Sequence, residues 1–173
     1  TDVGDFHPVR LLFLLFEIMP RLPAHWKIYL WNFYPPFLGA GIRIEKVSPD
    51  FTFAELSLRL RWWNRNYIGS LFGGSIYSMC DPMHMVLLIQ LLGPDYVVRD
   101  KGAEIRFLKK GTGKVRAVFE ISPQKVAEIW NDPAEVQERK FLARVQNEAG
   151  ETIAEISKSL HIRRKSAKTK NTE

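Results

Sequence analysis

A long apolar stretch, residues 72–92, constrains the fold of this chain more than any other feature. It contains no lysine, arginine or glutamate, and Asp81 is its only charged side chain. A helix that is apolar on nearly all sides packs inside a fold rather than on its surface. A carboxylate in that setting is costly unless it is paired or hydrogen-bonded. Asp81 is therefore the first candidate functional residue, and the Gly73-Gly74 pair at the expected helix start is the second.

The composition is that of one globular domain. The chain has 173 residues, of which 46% are hydrophobic and 25% are charged, which is enough to bury a core. Cys80 is the only cysteine, so an internal disulfide and a cysteine-rich zinc site are excluded, and a reducing cytoplasm is the expected compartment. The four histidines are scattered without metal-site spacing, so we predict no metal and no cofactor.

The net charge of +6 is uneven, because a basic tail carries much of it. Such a charge favours nucleic acid, anionic lipid or a phosphorylated ligand without choosing among them. The aromatic residues form no stacking platform for RNA or single-stranded DNA, so a nucleic-acid partner is not predicted. We expect residues 165–173 to be disordered.

The N-terminal residues 1–34 are predicted to form a helical extension of two segments, at about residues 8–19 and 24–33, with Pro35-Pro36 ending the second. Residues 9–19 include the run L-L-F-L-L-F, which Arg10 and Glu17 flank. This segment is shorter than the ~20 apolar residues that a membrane span needs, and it lacks the cleavage site of a signal peptide. We expect a helix that packs on its own domain or on a partner subunit, with contact to a membrane surface as the alternative.

Residues 35–164 alternate in a way that predicts an α+β domain. Apolar residues occupy every second position from 54 to 62, which indicates a half-buried strand, and residues 41–47 are its predicted hairpin partner. After the central helix we expect four more strands and one short helical insertion. The strands are expected at 96–108 with a break near Gly102, 115–121, 141–145 and 152–163, and the insertion at 123–133. One antiparallel sheet wrapped around one central helix accounts for this order.

Residues 66–81 read N-Y-I-G-S-L-F-G-G-S-I-Y-S-M-C-D, and this order resembles the hotdog-fold thioesterases. The similarity is to the phenylacetyl-CoA thioesterase group, whose pattern is an asparagine, then G-x-x-H-G-G, then an acid about two turns later. Two further segments are similar to an uncharacterised branch of that superfamily, namely P-P-F-L-G-A-G-I-R-I and R-W-W-N-R-N-Y. The resemblance covers about residues 35–164. It implies a hotdog fold and an acyl-thioester hydrolase, with acyl-CoA as the expected substrate.

Thioester hydrolysis needs donors for the developing oxyanion and a base or nucleophile. A helix start offers free amides, and Gly73 and Gly74 let a ligand approach them closely. Asp81 lies eight residues beyond Gly73, about 12 Å along the same helix, so one chain cannot easily place both on one carbonyl. A twofold dimer with antiparallel central helices can do so. The resemblance implies the same homodimer, or a dimer of dimers, and assigns Asn66 to positioning water or the acyl carbonyl.

The substrate-binding candidates come from the same resemblance. Phe72 stands where many relatives have histidine, and Phe72 and Tyr77 are expected to contact the acyl group. Arg106, Lys109 and Lys110 are similar in place to residues that meet the phosphates of CoA, and Lys and Arg suit phosphate.

Each candidate also has a structural interpretation. The glycine pair is compatible with mere close packing, Asn66 with a turn, and Lys109-Lys110 with a solvated strand end. Asp81 is equally compatible with a structural acid bonded to Tyr77, Ser78 or a partner chain.

Neighbouring residues on the central helix are weaker candidates. His84 is expected to be a hydrogen-bonded core residue, although it can share a helix face with Asp81. Cys80 is a poor thiolate beside a carboxylate, and Ser75 and Ser78 lack the G-x-S-x-G context of a hydrolase serine.

Two departures from the thioesterase pattern keep a second function open. Phe72 replaces the histidine, and Pro82 follows the acid directly, where it is expected to bend the helix. Both favour the alternative that the protein binds acyl-CoA or lipid without hydrolysing it.

Overall fold

The structure is a computed structural model that describes residues 23–165. The helix expected within residues 8–19 and nearly all of the basic tail lie outside the described residues. Six strands follow the predicted order, and the bounds of the strands are β1 Ile42–Val47, β2 Phe53–Arg59, β3 Tyr96–Phe107, β4 Lys114–Glu120, β5 Val136–Asn147 and β6 Thr152–Arg164. The helices are α1 Ala24–Ile28, continued by a 3₁₀ turn at Tyr29–Phe33, then α2 Pro35–Ala40, α3 Gly73–Cys80, α4 Met83–Leu92 and α5 Pro123–Asn131.

The strands form one antiparallel sheet in the order β1-β2-β4-β5-β6-β3. The predicted hairpin of β1 and β2 is confirmed, as are the predicted break in β3, which is a register shift between Asp100 and Gly102, and the helical insertion, which is α5. Two predicted strand boundaries are wrong by more than two residues. β5 begins at Val136 rather than at residue 141, because residues 136–140 also pair with β6. β2 ends at Arg59, and Trp62, expected on the buried face, is 81% exposed, because the side chain of Asn64 accepts from the Arg61 amide and turns the chain.

The central helix packs in the core as two segments, α3 and α4. Ile76, Met79, Leu87 and Leu88 are buried, which confirms the expected internal helix. Gly73–Leu92 is long and apolar enough to cross a membrane by length and composition, but 56% of its most apolar window is buried inside the domain. It is therefore the core helix of this fold.

Pro82 interrupts the central helix where a bend is predicted, although the backbone of Asp81 and Pro82 stays in the helical region. α3 ends at Cys80 and α4 begins at Met83, since proline has no amide to donate and its ring crowds the preceding turn. The Asp81 amide still bonds to the Tyr77 carbonyl at 2.9 Å. Asp81 therefore sits at the junction of the two segments.

Helix α2 was not predicted, because Pro35 and Pro36 were read as the end of the preceding segment. Tyr34 is extended, and the two prolines occupy the first turn of a new helix, where a missing amide costs nothing. The segments before β1 cover that edge strand: the Asn32 side chain accepts from the Ile44 amide at 2.7 Å, and the Tyr29 hydroxyl accepts from the Val47 amide at 3.0 Å.

The opposite edge of the sheet is β3, and the described residues do not cover it. Most of β3 beyond Val98 is exposed, including Phe107 at its end. An uncovered edge strand is a template for pairing with another chain.

Asn64 is expected to be essential for the loop that leads into α3. Its buried side chain bonds to the Arg61 amide and to the carbonyls of Ala40 and Arg59. Asn64→Ala should lower the free energy of unfolding by about 2–3 kcal/mol, because buried backbone groups lose their partners. Urea unfolding measures the change. Asn131→Ala, at an exposed helix end, is the control and should stay within about 0.5 kcal/mol of wild type. Equal effects of the two substitutions would contradict this role.

Candidate active site

Asp81 lies between a hydroxyl and an ammonium group. Its Oδ1 accepts hydrogen bonds from the Tyr77 hydroxyl at 2.8 Å and from Lys158 Nζ at 2.6 Å. Its Oδ2 has no hydrogen bond with the described residues. The side chain is 42% exposed. The carboxylate is thus held by one oxygen while the other is open to water or a ligand.

Lys158 is the functional residue that the sequence analysis missed. It lies on the core-facing side of β6, where every second residue is buried and the neighbours Ile156 and Leu160 are apolar. Its side chain is 1% exposed, and Nζ also contacts Asp100 Oδ1 at 2.9 Å. A lysine at an apolar position of an alternating strand was the available signal, because a buried ammonium must be paired.

The electrostatics of this cluster keep Lys158 charged. Burial alone would lower the pKa of the Lys158 ammonium, but its hydrogen bonds to Asp81 and Asp100 outweigh burial and raise the pKa above its usual value. For the Tyr77 hydroxyl, burial and then the bond to Asp81 raise the pKa. Tyr77 is therefore a neutral donor and Lys158 a cation at neutral pH.

His84 and Cys80 are buried beside the cluster and take no part in its hydrogen bonds. Nδ1 of His84 is buried without a hydrogen-bond partner among the described residues, so the expectation of a hydrogen-bonded core histidine is wrong for this atom. The His84 ring packs between Phe119 and Phe141, with centroid distances of 5.1 and 5.2 Å. Burial, and then the charge of Lys158, lower the pKa of His84 to about 4, so this histidine is neutral. Burial, and then Asp81, raise the pKa of the Cys80 thiol, in line with the expected poor thiolate.

The helix start of α3 carries free amides. The amides of Ser75 and Ile76 bond to the Phe72 carbonyl, which leaves those of Gly73 and Gly74 without an acceptor among the described residues. A Cβ on Gly73 would lie 2.8 Å from the Phe107 ring, and one on Gly74 would lie 2.3 Å from the Phe72 ring. The glycines thus admit two aromatic rings against the helix start, and both rings are more than half exposed.

Asn66 lies in the loop before α3 and is fully engaged there. Its Oδ1 accepts from the amides of Ile68 and Ser70, and its Nδ2 donates to the Ser70 hydroxyl and the Leu71 carbonyl. These four bonds use the whole hydrogen-bonding capacity of an asparagine side chain. In this chain Asn66 fixes the loop that delivers Gly73.

The basic residues at the end of β3 lie beside the same helix start. Phe107 packs on Gly73, and the Leu71 amide bonds to the Gly111 carbonyl, so the segment from 106 to 111 passes the start of α3. Lys109 pairs with Glu151 at 2.5 Å on the surface. Arg106 and Lys110 are exposed and form no ion pair with the described residues.

The structure therefore places the sequence-derived candidates in two groups. One group is the helix start with the basic strand end, and the other is Asp81 with Tyr77, to which the structure adds Lys158 and Asp100. Within residues 23–165 there is no group of three histidine, cysteine or carboxylate side chains that could hold a metal ion.

Comparison with known families identifies the family to which this domain belongs. A family model described as a domain of unknown function (DUF4442) matches residues 24–162. The chain belongs to the DUF4442 family. No curated protein matches the sequence.

Solved structures with a similar fold to this DUF4442 protein include thioesterases. PA5026 of Pseudomonas aeruginosa, a protein of unknown function and probable thioesterase, has a TM-score of 0.71 and 19% identity, over 83% of this chain and 97% of that chain. The thioesterase HI1161 of Haemophilus influenzae has a TM-score of 0.63 and 14% identity, over 83% and 93%. A mutant of the thioesterase SAV0944 of Staphylococcus aureus has a TM-score of 0.57 and 12% identity, over 73% and 97%.

These comparisons confirm the predicted fold class. The chain has the hotdog fold, an antiparallel sheet around a central helix. At such identities the likeness concerns the fold, and the chemistry has to be argued from the side chains.

His84 should make folding stability depend on pH. Its pKa is lowered in the folded state to about 4 from 6.5, so the unfolded chain binds a proton more readily as the pH falls below 6.5. The stability from neutral His84 is complete above pH 6.5 and is lost as the pH falls towards 4. Urea unfolding between pH 7 and 4 should show a smaller loss of stability in His84→Phe, which fits between Phe119 and Phe141, than in wild type. The same pH slope in both proteins would show that His84 does not contribute.

Proposed function

We propose that this protein hydrolyses acyl thioesters, with acyl-CoA as the expected substrate and an active site shared by two subunits of a homodimer or of a dimer of dimers. The observation that carries the proposal is the state of Asp81, a half-exposed carboxylate with Oδ1 fixed by Tyr77 and Lys158 and Oδ2 free of bonds to the described residues. A carboxylate held in this way suits a general base for water, or a nucleophile towards the thioester carbonyl.

The oxyanion donors are proposed to be the amides of Gly73 and Gly74 of the partner subunit. In one chain Asp81 lies about 12 Å from Gly73 along the helix, which is too far for one carbonyl. The exposed edge strand β3 and the exposed rings of Phe72 and Phe107 support a second copy on this face, because monomeric proteins rarely expose such an edge beside apolar side chains.

The proposed reaction starts with a water molecule next to Oδ2 of Asp81. The carboxylate takes a proton from the water, and the water oxygen attacks the thioester carbonyl carbon. The carbonyl oxygen becomes an oxyanion that the two glycine amides stabilise, with help from the positive end of the helix dipole. Breaking of the C–S bond releases the carboxylic acid, and the thiolate leaving group takes the proton that Asp81 removed from the water, which regenerates the carboxylate.

The carrier end of the substrate is proposed to bind at Arg106, Lys109 and Lys110. These residues lie beside the helix start through the contact of Phe107 with Gly73. The Lys109–Glu151 pair is on the surface, and exposed pairs contribute little stability, so a phosphate can take the place of the Glu151 carboxylate. Phe72 and Tyr77 are proposed to contact the acyl group.

The alternative function is binding of acyl-CoA or lipid without hydrolysis. The observations that favour it are the Phe72 ring covering Gly74 and the engagement of Asn66 within its own loop. Assays of free thiol release against a panel of acyl-CoA substrates separate the two functions, because a binding protein retains the thioester intact.

Asp81→Asn should lower kcat by about 10²–10⁴-fold, because the amide cannot act as a base. Asp100→Asn is the matched control, since it also removes one carboxylate from Lys158, and its loss should be much smaller. Thiol release and thermal melting are measured for both variants. Full activity in Asp81→Asn, or equal losses in the two variants, would contradict the assignment.

Gly73→Pro should lower kcat by about 10²–10³-fold, because proline removes an oxyanion donor. Proline is tolerated at the first helical position, and the extended Phe72 backbone suits the residue before proline. Gly73→Ala brings a similar Cβ to the Phe107 ring but keeps the amide, so it should lose much less activity. Equal kcat values in the two variants would show that the amide has no catalytic role.

A further inference from the structure

Lys158 connects three elements of the fold at one atom. Its Nζ on β6 lies 2.6 Å from Asp81, at the break in the central helix, and 2.9 Å from Asp100, at the irregularity in edge strand β3. The carboxylate side chains are 42% and 34% exposed, whereas the lysine side chain is 1% exposed. The ammonium is thus buried at the bottom of the site, whereas the two carboxylate side chains are partly exposed to solvent.

Stability alone does not explain a lysine at this position. A buried ammonium loses its hydration, and the attraction of its partners often does no more than offset that loss, so apolar residues of similar volume are frequently as stable. The other core-facing residues of β6 are apolar, including Ile156 and Leu160. An apolar residue at position 158 would continue this pattern, and the two exposed carboxylates would remain in contact with solvent.

We propose that Lys158 is a positioning residue for the hydrolysis: it fixes Oδ1 of Asp81, holds a positive charge between the carboxylates of Asp81 and Asp100, and so leaves Oδ2 directed at the substrate water. This inference rests on the proposed function. Nothing in the sequence motif around Asp81 includes Lys158, which is 77 residues away along the chain.

Few charged groups surround Asp81, so the charge of Lys158 has the largest effect on it. The ionisable groups around Asp81 lie on four elements and are Tyr77 and Cys80 on α3, His84 on α4, Asp100 on β3 and Lys158 on β6. The first three are uncharged at neutral pH for the reasons given above. Without Lys158 the charged groups left in this cluster would be the carboxylates of Asp81 and Asp100. Two like charges so close together disfavour each other.

Lys158→Met and Lys158→Arg separate the charge of the residue from its volume. In Lys158→Met the acidic limb of the pH profile of kcat/KM should move to higher pH by about one unit or more. The value of kcat should also fall by about 10²-fold, because the carboxylate loses its orientation. Lys158→Arg keeps the cation, so its acidic limb should stay near the wild-type pH whatever its kcat. A structural role alone predicts a lower melting temperature and no movement of the limb in either variant.

Two readouts do not depend on turnover. Crystal structures should show the Asp81 carboxylate turned towards solvent in Lys158→Met and unmoved in Lys158→Arg. NMR titration of the Lys158 side chain should give a lower midpoint in Asp81→Asn and in Asp100→Asn than in wild type, because each variant loses one partner that raises the lysine pKa. The NMR titrations and the Lys158→Arg structure still apply if Lys158→Met does not fold, since those variants keep Lys158 or its charge.

The outcomes for the two proposals differ. If wild-type protein hydrolyses no acyl thioester, the proposed function fails, and the crystal and NMR results alone then decide whether Lys158 sets the charge and orientation of Asp81. If hydrolysis occurs but Lys158→Met keeps the wild-type pH profile and the wild-type orientation of Asp81, the inference is overturned and the proposed function stands.

Discussion

The buried ammonium of Lys158 is the interaction on which the site depends. It can stay charged in the core only because Asp81 and Asp100 approach it from two other elements. Asp81 reaches it because Pro82 breaks the central helix at that point, and Asp100 reaches it at the irregularity in β3. The same contacts that neutralise the lysine hold one oxygen of Asp81 and leave the other free. One cluster therefore meets a requirement of folding and, in the proposed hydrolysis, a requirement of catalysis.

Much of the fold was predictable because its signals are local. The apolar stretch around Asp81 indicated the core helix, and alternation indicated the strands, since both follow from side-chain periodicity. Helix α2 was missed because Pro35 and Pro36 were read as an end rather than as a first turn. The early end of β2 depended on Asn64, whose partners at Ala40 and Arg59 are set by tertiary structure.

The site was only partly predictable, because its parts come together from distant positions. The sequence pointed to Gly73, Gly74 and Asp81 through their order on one helix. It did not reveal that Lys158 bonds to Asp81, although a lysine among core-facing apolar residues was a usable signal. The sequence also did not reveal that the Asn66 side chain forms all its hydrogen bonds within its own loop, because the partners of a side-chain amide depend on how the loop folds.

The central claim, that one active site takes Asp81 from one subunit and the helix start from the other, can be tested by complementation. Differently tagged Asp81→Asn and Gly73→Pro chains are mixed, and the mixed dimers are purified through both tags. In a shared arrangement one of the two sites in each mixed dimer keeps both intact parts, so activity should return to about half of the wild-type value per dimer. Mixed dimers that form but are no more active than either parent would contradict the account.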